Sequence, residues 1–239
     1  IAAVQAAAKP TLRVEKPVAR TLAEIVDRRV ALLTDYQDAA YAQRYRAFVD
    51  QVAAAEKAKA PGRRGLAEAV ARSLYKLMAY KDEYEVARLY SDGAFLKKLA
   101  SQFEGDYTLT FHLAPPLFAE RDPQTGHLVK KEYGGWMLHA FRFLAGFKRL
   151  RGTAFDILGR SEERKIERRL IGEYMKTIED VLATLDANNH ALAVQIASVP
   201  ESMRGFGHVK EKNVAAAKAR EASLLAAYRS PATQSVAAE

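Results

Sequence analysis

The side chains best equipped for chemistry lie in one stretch, Tyr75-Lys76-Leu77-Met78-Ala79-Tyr80-Lys81-Asp82-Glu83-Tyr84-Glu85-Val86-Ala87-Arg88-Leu89-Tyr90. Tyrosines at Tyr80, Tyr84 and Tyr90, lysines at Lys76 and Lys81 and the acids Asp82, Glu83 and Glu85 fall within about four helical turns, dense enough for a general acid–base pair or a recognition face. Helical spacing offers a plainer account: Tyr80 over Tyr84 and Lys81 paired with Glu85, in a satisfied helix or a protein interface. A second candidate is Gly205-Phe206-Gly207-His208, with Arg204 before it and Lys210 after it. It has the look of a glycine-rich phosphate cradle feeding a helix. No strand precedes it and its spacing fits neither a P-loop nor a dinucleotide fingerprint. A turn between two helices therefore competes with an anion held by backbone amides, Arg204 and Lys210. The histidines (His112, His127, His139, His190, His208) never occur as His-x3-His or His-Glu-x-x-His, so no local metal scaffold exists. His112 shares the polar side of an alternating run with Thr110, as an exposed or hydrogen-bonded strand histidine or, alternatively, a base. No serine sits on a Gly-x-Ser-x-Gly elbow.

The elements that must position these residues are mostly helical. Residues 1–19, alanine-rich with Pro10 and Pro17, read as a linker or the tail of a preceding domain. Residues 20–229 form a single mainly α domain with long antiparallel helices and one β-ribbon, and 230–239 a flexible tail. Thr21 with Glu24 predicts a capping box opening a long helix to about Ala58, its stripe made of Leu22, Val26, Leu33, Tyr36, Ala40 and Ala47. Arg29 and Arg44 interrupt that stripe and are expected to snorkel or pair at a helix seam. Pro61-Gly62-Arg63-Arg64-Gly65 turns the chain into a second helix, about Leu66 to Ala87, with Val70, Leu74, Leu77 and Met78 facing inward. A third runs from Asp92 to Phe103. The period then drops to two over Tyr107–Leu113, with a turn at Asp122–Gly126 and a returning strand from His127 to Tyr133. Helices follow over Trp136–Leu150, Ser161–Leu185, Asn189–Val199 and Val209–Tyr228.

Composition narrows the chemistry. The 239 residues contain no cysteine, which excludes a thiolate nucleophile, a cysteine-ligated iron–sulfur cluster and a disulfide framework. The formal net charge is +8, but the basic pairs Arg28-Arg29, Arg63-Arg64, Lys97-Lys98, Lys130-Lys131 and Arg168-Arg169 are spread among acids. That pattern suits a solvated surface better than a nucleic-acid face, which needs cations concentrated on one side. Apolar runs are too short to span a bilayer, so no membrane association and a cytoplasmic location are expected. The start at Ile1 rather than at a methionine suggests a fragment of a longer polypeptide.

Several long segments together resemble a known family. "RTLAEIVDRRVALLTDYQDAAYAQRYRAFVDQV", "LAEAVARSLYKLMAYKDEYEVARLY", "FEGDYTLTFHLAPPLFAERDPQTGH" and "RGFGHVKEKNVAAAKAREASLLAAY" are similar, in this order, to the C-terminal region of the fused bacterial indolepyruvate:ferredoxin oxidoreductases. The resemblance covers about residues 17 to 229 and implies a parent enzyme of the 2-oxoacid:ferredoxin oxidoreductase type. Such enzymes use thiamine diphosphate, magnesium and iron–sulfur clusters to convert aryl pyruvates into aryl-acetyl-coenzyme A thioesters while reducing ferredoxin. This segment lacks a thiamine-type Gly-Asp-Gly run and any cysteine. No catalytic, cofactor or metal residue is therefore carried over, and the expected role is structural. Its expected partners are the catalytic domains of the same enzyme, with ferredoxin and coenzyme A serving the parent, in a homo-oligomer. An independent basic helical module that binds protein or nucleic acid is the alternative, and a self-sufficient enzyme built around Lys81 and Glu83 is a third.

Overall fold

The computed structural model describes residues 21–103, 105, 108–113, 129, 131–205 and 207–230. The expected linker over 1–19, the 122–126 turn and all of the tail except Ser230 lie outside the described residues.

Helix α1 (Leu22–Tyr36) starts as expected: Glu24 N–H donates to Thr21 Oγ1 at 3.2 Å and Thr21 N–H to Glu24 Oε2 at 3.0 Å. The single helix expected over 21–58 breaks, however, at Gln37-Asp38. Asp38 Oδ1 accepts the Tyr41 N–H at 2.8 Å and so caps a new helix, α2 (Ala39–Lys59), offering the backbone a local alternative to continuing α1. The two helices form an antiparallel hairpin clasped by the Arg46–Asp27 ion pair. The break resets the helical phase. Ala40 and Ala47, expected inside, are exposed, and α2 buries Ala42, Tyr45, Phe48, Val49 and Val52 instead. The Arg29 guanidinium lies over the Tyr75 ring, 4.1 Å from its centroid, as a snorkelling residue should.

The turn into α3 (Leu66–Met78) uses Gly62 and Gly65 at φ 81° and 114°, where side chains other than glycine are strained. Glycine cannot cap, so Glu56 of α2 does: its carboxylate accepts the N–H groups of Leu66 (2.8 Å) and Ala67 (3.0 Å) and meets His190 Nε2 at 2.7 Å. This helix stops at Met78 rather than at Ala87. Asp82 caps a separate helix α4 (Glu83–Ser91), accepting the Glu85 N–H at 2.9 Å. Helix α5 (Ala94–Gln102) follows. The ribbon is shorter than expected: β1 (Phe111–Leu113) pairs antiparallel with β2 (Lys131–Tyr133), with Phe111 opposite Tyr133 and His112 opposite Glu132. Then come α6 (Met137–Ala145), two 3-10 turns at 148–150 and 158–160, α7 (Glu162–Ala183) capped by Ser161, α8 (His190–Ala197), a third 3-10 turn (Val199–Ser202) and α9 (Gly207–Tyr228). Among the described residues the fold is mainly α, with one two-stranded ribbon.

Among the described residues, two separate apolar cores result. The larger gathers α1, α2, α3, α7, α8 and α9 around Leu33, Tyr45, Leu74, Ile178 and Ile196. The smaller joins α4, α6 and the ribbon through Ala87, Phe111, Met137 and Phe141. Here Tyr90 stacks on Phe141 with centroids 5.2 Å apart and meets the edges of Phe95 and Phe111. Buried tyrosines stitch the large core by donating to main-chain carbonyls: Tyr36 to Tyr80 (2.9 Å), Tyr45 to Ala71 (2.9 Å), Tyr174 to Ala197 (2.8 Å) and Tyr228 to Val181 (2.9 Å). A buried hydroxyl costs little when its hydrogen bond is made.

Candidate functional site

The break between α3 and α4 divides the reactive stretch in two. Lys76, Tyr80 and Lys81 turn toward the α8–α9 connection and, with Arg204 and Lys210, line one cleft of about 280 Å³. Five residues singled out by type thus converge. Lys76 Nζ reaches across it to the carbonyls of Pro200 (2.6 Å) and Glu201 (2.9 Å). Lys210 pairs with the buried Glu167 carboxylate. Desolvation lowers the Lys76 ammonium from the ordinary lysine range, the positive charges of Arg204 and Lys210 push the same way, and Glu201 opposes them.

Glu83 and Tyr84 go the other way, into a buried ionic seam between the two cores. Arg151, 4% exposed, grips Asp82 with Nε (2.5 Å) and Nη2 (2.8 Å) and gives Nη1 to the Tyr36 carbonyl at 2.7 Å. Its guanidinium lies 3.7 Å from the Tyr36 ring centroid. Burial opposes the Arg151 charge, yet the Asp82 carboxylate outweighs it and leaves the pKa above the usual arginine value. Tyr84 donates to Asp156 Oδ1 at 3.1 Å, and Asp156 also accepts from the N–H groups of Gly152 (2.7 Å) and Gly159 (2.8 Å). Arg164 pairs with Glu83 at 3.1 Å, and Arg168 donates to the Gly159 carbonyl at 2.6 Å. The helical pairings expected around residue 81 are accordingly replaced. Tyr80 and Tyr84 occupy different segments, and Glu85 holds Arg88 with two 2.8 Å bonds in place of Lys81. Arg168, read as half of a solvated basic pair, belongs to the seam.

A family model matches residues 22–223, and its description is a family of unknown function, DUF6537. The chain belongs to the DUF6537 family. No curated protein and no solved structure matches it. In this DUF6537 chain the remaining candidates stand apart. His112 is on the ribbon, with Nδ1 3.7 Å from Glu132 and its side chain 58% exposed, away from the cleft lining. The side chain of His208 lies outside the described residues, although its backbone opens α9. Asp82, Arg151, Asp156, Arg164 and Arg168 were not foreseen as a set. Two signals for them exist in the DUF6537 sequence: Asp82-x-x-Glu85, a helix-start pattern, and Asp156 flanked by Gly152 and Gly159. Among the described residues no group of three or more His, Asp or Glu could hold a metal ion. No helix among them is long and apolar enough to cross a membrane.

Proposed function

We propose that this chain is a non-catalytic bracing and docking domain of a cytoplasmic indolepyruvate:ferredoxin oxidoreductase. The parent enzyme would convert aryl pyruvates to aryl-acetyl-coenzyme A with thiamine diphosphate, magnesium and iron–sulfur clusters supplied by its other domains, in a homo-oligomer. The sequence resemblance motivates the reading, and one structural observation supports it. Trp136, Phe143, Phe147, Phe155 and Ile157 are 40–76% exposed, all within one short stretch, with Phe143 and Phe147 edge to face at 4.9 Å. So many large apolar side chains left in water along one stretch suit a surface that another protein domain covers. The densest buried charge, by contrast, is held mainly in internal ion pairs at the seam, with Glu83 Oε2, Arg164 Nε and Arg168 Nη1 making no hydrogen bond among the described residues, and that pairing suits bracing better than turnover.

The test is the native mass of the polypeptide in its source cells, by immunoblot of denatured extract with an antibody against Tyr80–Tyr90. A band several times heavier than 26.5 kDa is expected, whereas a band near that mass sinks the reading in favour of an independent binding module. In the full enzyme, Phe143→Ser with Phe155→Ser is expected to lower assembly or turnover while leaving the melting temperature of the isolated chain unchanged. Arg63, Arg64, Lys97 and Lys98 are exposed and offer positive charge to an acidic ferredoxin. Reversing all four is expected to flatten the salt dependence of ferredoxin reduction.

A further inference from the structure

The cleft between α3 and the start of α9 is over-supplied with positive charge. Among the described residues of its lining, Lys76, Arg204 and Lys210 stand against one carboxylate, Glu167, which Lys210 already engages. Lys76 is held in place by two carbonyl oxygens, neutral acceptors that fix the ammonium without cancelling its charge. Glu201, which lines the neighbouring recess, offsets part of this field. Like charges crowded into a partly desolvated recess repel, and a bound anion removes that repulsion.

The geometry is built to keep the cations there. Gly205 adopts φ 106°, and a Cβ at this position would come within 2.9 Å of Val209 Cγ1 and 3.4 Å of the Lys210 nitrogen. The turn is therefore open only to glycine, and it presses Arg204 against the first turns of α9, where Asn213 Nδ2 donates to the Arg204 carbonyl at 2.7 Å. Arg204 Nε is spent on the Glu201 carbonyl at 3.0 Å, which orients the guanidinium fork. At about 280 Å³ the cleft falls just below the roughly 300–1,000 Å³ of sites that swallow whole small molecules, and so suits one charged end of a ligand. A second recess of about 390 Å³ opens on the other side of Arg204, lined by Val194, Gln195, Ser198, Glu201, Ser202 and Arg220. It has room for the remainder of such a ligand.

We infer that this cleft binds the phosphomonoester or diphosphate end of a small metabolite, between Lys76, Lys210 and Arg204. The assignment holds whether or not the chain is part of a larger oxidoreductase. The test is calorimetric titration of the 239-residue chain with inorganic pyrophosphate, free of divalent cations and at constant ionic strength. Binding to one saturable site is expected. Arg204→Gln, on a solvated side chain, is expected to weaken it roughly tenfold or more, the scale of a lost charge-assisted hydrogen bond, without changing the melting temperature. Lys57→Gln, on the exposed face of α2, serves as the control and leaves binding intact. Non-saturable heats, an equal response to chloride, or undiminished binding by Arg204→Gln would each overturn the assignment. So would binding of long nucleic acid with no binding of pyrophosphate, which would make the surface a polymer track.

Discussion

Asp82 uses one carboxylate for two purposes, capping α4 through Oδ1 and neutralising Arg151 through both oxygens. Asp82→Asn keeps an oxygen for the cap but leaves the Arg151 charge buried and unpaired, a change that costs about 3–5 kcal/mol. Asp82→Ala also removes the cap and is expected to cost about 1 kcal/mol more. Urea denaturation of both variants separates the two roles, and a loss under about 1 kcal/mol for Asp82→Asn would contradict the seam's part in stability. Gly159 has a different constraint. A Cβ there would lie 2.0 Å from Asp156 Oδ2 and 2.7 Å from Arg168 Nη1, so Gly159→Ala must displace the carboxylate that Tyr84 donates to. Overpacking of this kind costs about 1–3 kcal/mol, and a thermal melt at unchanged stability would show that the seam can yield.

At the scale of elements, the helix breaks are made by single acidic caps. Asp38→Ala is expected to destabilise by about 1 kcal/mol. Glu56→Ala is expected to cost more, since it strands two buried main-chain donors, each worth about 1–3 kcal/mol. If chemical denaturation ranks the two variants the other way, the cap assigned to Glu56 is wrong. These caps also mark the limit of what periodicity could reveal. The α1 capping box, the Pro61–Gly65 turn, the inward face of α3 and the extents of α7, α8 and α9 were legible, because apolar spacing and cap residues agree there. The breaks at Asp38 and Asp82 were not: both lie inside continuous helical patterns, and only an Asp in the N-cap position betrays them. Of the candidate site, residue type and glycine content pointed to both banks of the cleft. That Lys76 and Arg204 face each other depended on α7, α8 and α9 folding back, and no local pattern encodes that. The seam was opaque for the same reason, as its charges come from segments 69 residues apart in the Asp82–Arg151 pair.

For the whole molecule, buried phenols set the alkaline limit. Tyr36, Tyr41, Tyr45 and Tyr174 all have pKa values raised above the ordinary 10.0, burial being the largest cause in each. The folded chain keeps these protons where the unfolded chain releases them. Stability is therefore whole below pH 10 and falls as pH climbs from there toward the folded-state values. Absorbance of phenolate at 295 nm and far-ultraviolet circular dichroism are expected to change together in one cooperative step above that pH. A smooth titration with the helices intact would contradict it. The separation of the two cores by a charged seam has a further consequence. Parting them would break ion pairs while uncovering little apolar surface, and denaturant sensitivity scales with the surface uncovered. Such an opening is nearly silent to urea. Amides of α4 and α6 are expected to exchange with solvent through a low-denaturant-dependence route of their own, earlier than those of α2, α3 and α7, so that the protein has a joint that ordinary melting curves do not register.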